Sequence, residues 1–298
     1  MKSLCLGTAM WGWSVDKVTA FSLADYYYES GGRYFDTAYN YPINGNIDDF
    51  MLSPLYLAEW IELNGICDIK VTFKVGSTSN TLSSQNDLTS DYLLAQIEWA
   101  RENYGDNLCC IMLHWDNRQD QNEIRETLSI LDVVYNHGYE FGLSGIKHPE
   151  VYRNNMESSC NKELNIQIKH NFIHDGIRHY ENLQPLSPRY WAYGISVSGL
   201  KMTEEDYDKN SYVSLVRGDQ YHKGIMSPKL KEILSNIIKD SNSIESIYHI
   251  AIAYIEQEER LYGYLVAPST LQQMKDIFSY VNRTDESAVD LSLLREYV

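Results

Sequence analysis

The sequence predicts a closed (β/α)8 TIM barrel forming one domain over residues 1–298, on three observations. Short apolar runs alternate with longer helical patterns through most of the chain. Strands separated by helices must pair in parallel through crossovers. Eight such units in 298 residues match the length of a barrel, about 250 residues in its common form. The competing parallel architecture is an open doubly wound sheet, which normally carries Gly-x-Gly-x-x-Gly after its first strand. Here the first strand runs out as Leu-Gly-Thr-Ala-Met-Trp-Gly (Leu6–Gly12), without that loop.

The strands are expected, in order, at Leu4–Ala9, Arg33–Thr37, Ile69–Val75, Leu108–His114, Glu140–Ser144, Leu164–Lys169, Arg189–Tyr193 and Gly263–Ala267. Between them, apolar residues at three- and four-residue spacing predict helices over Val18–Ser30, Leu52–Leu63, Ser90–Tyr104, Asn122–Asn136 and Ile244–Glu258. Ser90 is expected to cap the third of these. Ser198–Ser227 has no regular pattern and would be a loop on the C-terminal face, where barrel insertions carry binding function. Asp285-Glu286-Ser287 ahead of Val289–Leu294 reads as a capped terminal helix outside the barrel.

Composition narrows the partners. Hydrophobic residues make up 44% of the chain, enough for a sizeable core. A net charge of −16 makes nucleic acid and anionic membranes poor partners and is read as favouring solubility. The five cysteines have no zinc-ligand spacing, so no metal is expected, and they point to a reducing compartment. No run of about 20 apolar residues occurs. The expectation is a soluble, cytoplasmic protein, monomeric or a small homo-oligomer.

Four residues carry the chemistry. Asp36 and Tyr41 follow the second strand, Lys74 lies near the end of the third, and His114 ends the fourth. Each has an ordinary alternative. Asp36 could cap a turn, Lys74 could snorkel to the surface, His114 could be a satisfied core histidine, and Tyr41 is one of 24 tyrosines. Their joint placement is what counts, because the C-terminal ends of barrel strands converge on one mouth. A phenol has a pKa near 10, too high for efficient proton donation at neutral pH. A neighbouring ammonium favours the phenolate and lowers that value. Asp36 would hold Lys74 in place, and His114 would orient a carbonyl oxygen or help relay its proton.

At these residues the chain resembles the aldo-keto reductase superfamily. The matching segments are Leu6–Trp11, Phe-Asp-Thr-Ala-Tyr-Asn-Tyr (Phe35–Tyr41), Phe-Lys-Val-Gly (Phe73–Gly76) and Leu-His-Trp (Leu113–Trp115). The Asp-to-Tyr spacing also matches. The resemblance implies an oxidoreductase using NADP or NAD to reduce an aldehyde, ketone or sugar carbonyl, or to run the reverse oxidation. It assigns Tyr41 as proton donor, tuned by Lys74 and Asp36, and His114 as the group that positions the carbonyl. Trp11 and Trp115, with Tyr41 and His114, would line the substrate pocket, aromatic walls suiting sugar faces or apolar aldehydes.

The resemblance also implies a cofactor site at Gly7, Thr8, Asp36, Ser144, Gln167, Tyr193, Ser269, Thr270 and Gln273. Ser144 and Gln167 would hold the nicotinamide carboxamide and Tyr193 would stack on its ring. Two departures stand out. Gly145 occupies the place of an Asn beside Ser144, and Ile277 the place of an adenine-binding Asn. The cation that usually precedes Gln273 is missing, leaving Lys275, Arg217 or Lys223 to meet a 2′-phosphate. The alternative expectation is a non-catalytic, cofactor-sensing or partner-binding protein on the same scaffold. A lyase or isomerase using the tyrosine without hydride transfer is a third, since fold alone excludes none of them.

Overall fold

Eight parallel strands close on themselves in chain order in the computed structural model, which describes residues 2–81, 85–156, 163–203, 225–283 and 289–297. The strands are β1 Ser3–Gly7, β2 Tyr34–Ala38, β3 Lys70–Val75, β4 Leu108–Asp116, β5 Glu140–Ile146, β6 Leu164–Lys169, β7 Arg189–Tyr193 and β8 Leu261–Val266. The barrel closes where Cys5 of β1 pairs with Leu265 of β8. All eight expected strands are present. β4 and β5 run two residues further than expected, and β1 stops at Gly7 rather than Ala9.

The helices are α1 Lys17–Glu29, α2 Leu52–Asn64, α3 Ser90–Tyr104, α4 Gln121–Thr127, α5 Leu131–Asn136, α6 Pro149–Met156, α7 Pro228–Asp240, α8 Ile247–Glu256, α9 Leu271–Val281 and α10 Ser292–Arg295. Local chemistry sets their starts. The Asp16 side chain accepts from Thr19 N at 2.8 Å, and Ser227 and Ser246 do the same for α7 and α8. Each such cap stabilises a helix by about 1 kcal/mol.

Three helix expectations need correction. Ser90 is the first residue of α3 and not its cap; its hydroxyl lies 2.9 Å from Ser129 Oγ and 3.1 Å from Glu126 O, tying α3 to its neighbour. The helix expected over Asn122–Asn136 is broken by a 3-10 turn at Leu128–Ile130. The terminal helix shrinks to Ser292–Arg295, with Leu294 buried, while residues 285–287 lie outside the described residues. Most of the loop expected at Ser198–Ser227, including Arg217 and Lys223, also lies outside them.

The core divides into two unequal parts. The large one lies between strands and helices and holds Leu23, Tyr27, Phe35, Phe73, Ile111 and Phe141 among others, all with no exposed surface. Burying each such side chain stabilises the fold by roughly 1.5–3 kcal/mol. The apolar part of the lumen is small: Cys5, Trp191 and Leu265, with Tyr34 against them. Asp36, Lys74, Asn165 and Gln167 are buried polar side chains on the strands around it. A lumen built this way must satisfy its polar groups internally. At the N-terminal end a 260 Å3 cavity opens among Tyr34, Lys70, Glu140, Asn165, Arg189 and Trp191. It is remote from the C-terminal strand ends where barrel chemistry resides.

Candidate active site

The C-terminal mouth brings Asp36, Tyr41, Lys74 and His114 together. Asp36 is central to β2 and pairs in register with Gly7 and Thr72. Thr8 pins its backbone from below: Thr8 N and Oγ1 donate to Asp36 O at 2.9 and 3.1 Å. Ser53 Oγ lies 2.7 Å from both Thr8 O and Thr8 Oγ1. Ser53 N donates to Tyr41 O at 3.3 Å. One buried serine at the start of α2 thus ties β1 and the Tyr41 backbone together.

Lys74 reaches from β3 and ion-pairs with Asp36 Oδ1. Its Nζ sits 4.9 Å from the centre of the Tyr41 ring. Both ions are almost fully buried, at 1% and 2% exposure, so the pair is held in a low-dielectric setting where a lone charge would be costly. Gln167 from β6 also donates to Asp36, through its Nε2 to Oδ2. The Tyr41 and His114 rings meet edge to face at 5.9 Å.

Electrostatics assigns different protonation states to these groups. Burial raises the Tyr41 phenol to about 12; Lys74 pulls it down, and Asp36 opposes that pull. The expected downward action of Lys74 is therefore present, but burial outweighs it. Burial alone would lower Lys74; the Asp36 carboxylate and Tyr41 reverse this and hold its pKa above the ordinary value. Burial, and then the Lys74 charge, push His114 well below the usual imidazole range. At neutral pH the mouth therefore holds a protonated phenol, an ammonium and a neutral imidazole. His114 Nδ1 is buried without a hydrogen-bond partner. A neutral imidazole can orient an oxygen by hydrogen bonding but holds no spare proton to donate at this pH.

The two tryptophans separate. Trp115 lies beside His114, ring centroids 4.4 Å apart, in a left-handed backbone conformation with φ 62°. Asn86, from the loop after β3, donates to its carbonyl. Trp11, by contrast, is 1% exposed and packed in the outer core beside Leu6 and Val15. Of the two tryptophans, Trp115 is thus the one in contact with His114.

The cofactor expectations divide similarly. Ser144 and Gln167 are buried at the mouth, with Ser144 Oγ 3.5 Å from Gln167 Oε1. Tyr193 ends β7 and is 37% exposed, a large aromatic presented at the same mouth. The Thr8 hydroxyl is committed within the fold, as described above. Thr270 accepts from Gln273 N at 3.2 Å, and Gln273 Oε1 accepts from Ser269 N at 2.7 Å. Thr270 thus caps α9, and the Gln273 side chain folds back onto the Ser269 backbone amide. That end also presents the helix backbone dipole, which favours anions.

Gly145 explains the missing Asn. Its φ is 69°, and a Cβ there would lie 2.5 Å from Trp115 Cδ1. The Trp115 indole occupies the space that a side chain at 145 would need. Sequence reasoning missed this packing and the Asn86 contact, because both join residues far apart in the chain with no motif of their own. An exposed aromatic, a buried hydroxyl and amide, and a helix N-terminus fit the ring, carboxamide and phosphates of a nicotinamide dinucleotide.

Among the described residues no group of three His, Cys, Asp or Glu side chains could hold a metal ion, and no helix is long and apolar enough to cross a membrane. Compared with known proteins, residues 3–294 match the model of the Aldo/keto reductase family. No curated protein matches the chain.

Proposed function

The chain belongs to the Aldo/keto reductase family, whose members are in general nicotinamide-dependent oxidoreductases, and from this premise we propose that it reduces an aldehyde, ketone or sugar carbonyl with Tyr41 as proton donor. The observation that carries the reading is the buried Tyr41–Lys74–Asp36 arrangement with neutral His114 at its side. A bound nicotinamide supplies the hydride; the protein residues handle orientation and the proton.

The proton step follows from acidities. When hydride adds to a carbonyl carbon, the oxygen becomes an alkoxide, with a conjugate-acid pKa close to that of water, about 15.7. A phenol at about 12 is a stronger acid than that product, so the proton moves downhill from Tyr41 to the oxygen. Lys74 then faces the new phenolate and stabilises it. His114 hydrogen-bonds the carbonyl oxygen and sets its direction. The protonated phenol favours reduction at neutral pH. Oxidation needs Tyr41 as its phenolate, which is scarce there.

Ser144 and Gln167 would meet the carboxamide, and Tyr193 the nicotinamide ring. NADP is the cofactor the family resemblance implies, with NAD as the other candidate. A cofactor-sensing protein would have no need of a cation beneath a tyrosine. The test is direct titration with NADPH and NADH by tryptophan fluorescence, followed by an unbiased screen of carbonyl compounds with the tighter binder. Quenching by one cofactor at sub-millimolar concentration and turnover of a neutral carbonyl are expected. Quenching by neither would sink the proposal.

A further inference from the structure

Gln167 spans the barrel. β6 and β2 stand on opposite sides of an eight-stranded cylinder, yet the Gln167 amide meets Asp36. Its Nε2 donates to Asp36 Oδ2, while its Oε1 lies 3.4 Å from Lys74 Nζ and 3.5 Å from Ser144 Oγ. This places the amide donor on the carboxylate and the amide acceptor on the ammonium. The reverse orientation would set oxygen against carboxylate and N–H against ammonium. Asp36 Oδ1 is taken by Lys74, so Gln167 supplies the donor for the other oxygen. All of these side chains are 5% exposed or less.

We propose that Gln167 is a positioning residue for proton delivery: braced across the lumen, it fixes the Asp36–Lys74 pair so that the ammonium stays against the Tyr41 ring. The role is separate from any contact it makes with a nicotinamide carboxamide. It rests on Tyr41 being the proton donor. Lys74 has a flexible stem, and its field at Tyr41 depends on distance. An ion pair held at one oxygen can swing about that bond; a second bond to the other oxygen stops the rotation.

The test uses two variants of the full chain. Gln167→Met keeps the length and removes all three hydrogen bonds. Gln167→Glu keeps the shape, and when protonated it can still donate to Asp36. Around position 167 the ionisable groups are Asp36, Lys74, Tyr41, His114, Cys5 and Cys110. The last four are neutral near pH 7, with Cys5 and Cys110 raised by burial. The new carboxyl therefore meets one carboxylate and one ammonium in a buried site, which raises its pKa. A raised folded-state pKa means stability is intact below the unfolded value, about 4.3, and is lost as pH rises through the folded one.

Without cofactor, the Gln167→Glu melting midpoint is expected to match wild type at about pH 4 and to fall behind by roughly 3 °C or more by about pH 8. The Gln167→Met deficit should not vary with pH. With cofactor saturating, Gln167→Met should lower kcat roughly tenfold or more. In a Lys74→Met background, the same change should alter kcat by less than about twofold, as expected for residues acting through one another. A Gln167→Glu midpoint that tracks wild type across this range would overturn the brace. So would a Gln167→Met protein that binds cofactor weakly but keeps its kcat. The cofactor-free melts stand even if no carbonyl substrate is found, so failure of the brace and failure of the reductase reading are separable.

Discussion

The Lys74 ammonium lies 4.9 Å from the centre of the Tyr41 ring while ion-paired with Asp36, so a single buried cation serves both the phenol and the carboxylate. Removing it strands a carboxylate in the barrel. Lys74→Met should cost about 3–5 kcal/mol of stability, the range for breaking one side of a buried pair. It should also lower kcat by about 100-fold or more. Denaturant melts and steady-state rates check the two together. Asp36→Asn/Lys74→Met should lose less stability than the two single changes combined, because no buried charge is left unpaired.

The pH profile has a definite sign. Tyr41 carries its proton up to about 12, so reduction needs no ionisation between about pH 6 and 9 and its kcat should be flat there. Oxidation of the product alcohol requires the phenolate, and its rate should climb close to tenfold per pH unit over the same interval. His114, held neutral by burial and Lys74, should add no acidic limb above its ordinary range. A reductive rate falling through a single ionisation near pH 7 would contradict this assignment.

Gly145 and Trp115 form a matched pair. An Ala or Asn at 145 would bring a Cβ within 2.5 Å of the Trp115 indole, on a backbone with φ 69°. Overpacking of this kind costs about 1–3 kcal/mol. Gly145→Asn should therefore lower the melting midpoint and, by displacing Trp115 from His114, reduce kcat/KM about tenfold. Trp115→Ala should recover part of the lost stability in the double variant. Equal losses with and without Trp115 would refute the pairing.

Alkaline stability should be cooperative. Burial raises Tyr27, Tyr104, Tyr152 and Tyr264 well above the ordinary phenol value. Their folded-state pKa values exceed the unfolded one, about 10, so their contribution is complete below that pH and is lost as pH rises beyond it. A phenolate absorbance titration should show exposed tyrosines ionising first and a buried set only with loss of the near-ultraviolet dichroism. Independent ionisation of all 24 tyrosines near pH 10 would contradict the burial.

Strand positions were readable because a parallel barrel buries both faces of each strand and leaves continuous apolar runs such as Leu-Cys-Cys-Ile-Met-Leu at Leu108–Leu113. The four mouth residues were readable because they follow one another along successive strands, although Asp36 sits at the centre of β2 rather than after it and His114 two residues before the end of β4. What failed depends on contacts between distant segments. The resemblance places Trp11 in a pocket wall, whereas its 1% exposure and membership of the large core cluster came only with the fold. The resemblance gives Thr8 as a cofactor contact, and nothing in the sequence signals that its hydroxyl also donates to the Asp36 backbone carbonyl. Gln167 was legible as a strand-six amide, while its bond to Asp36 across the lumen needed the closed barrel to be seen. The single helix expected at Asn122–Asn136 broke because periodicity reports a buried face and not the continuity of the backbone.

Tyr41→Phe tests the proton-donor assignment, because it removes one oxygen and keeps the ring against Lys74 and His114. Cofactor affinity should be measured by tryptophan fluorescence and kcat on the best carbonyl substrate from the screen. Unchanged cofactor affinity and a fall in kcat of about 100- to 10,000-fold, the range for loss of a general acid, are expected. A variant that keeps more than about a tenth of the wild-type kcat would contradict Tyr41 as the proton donor.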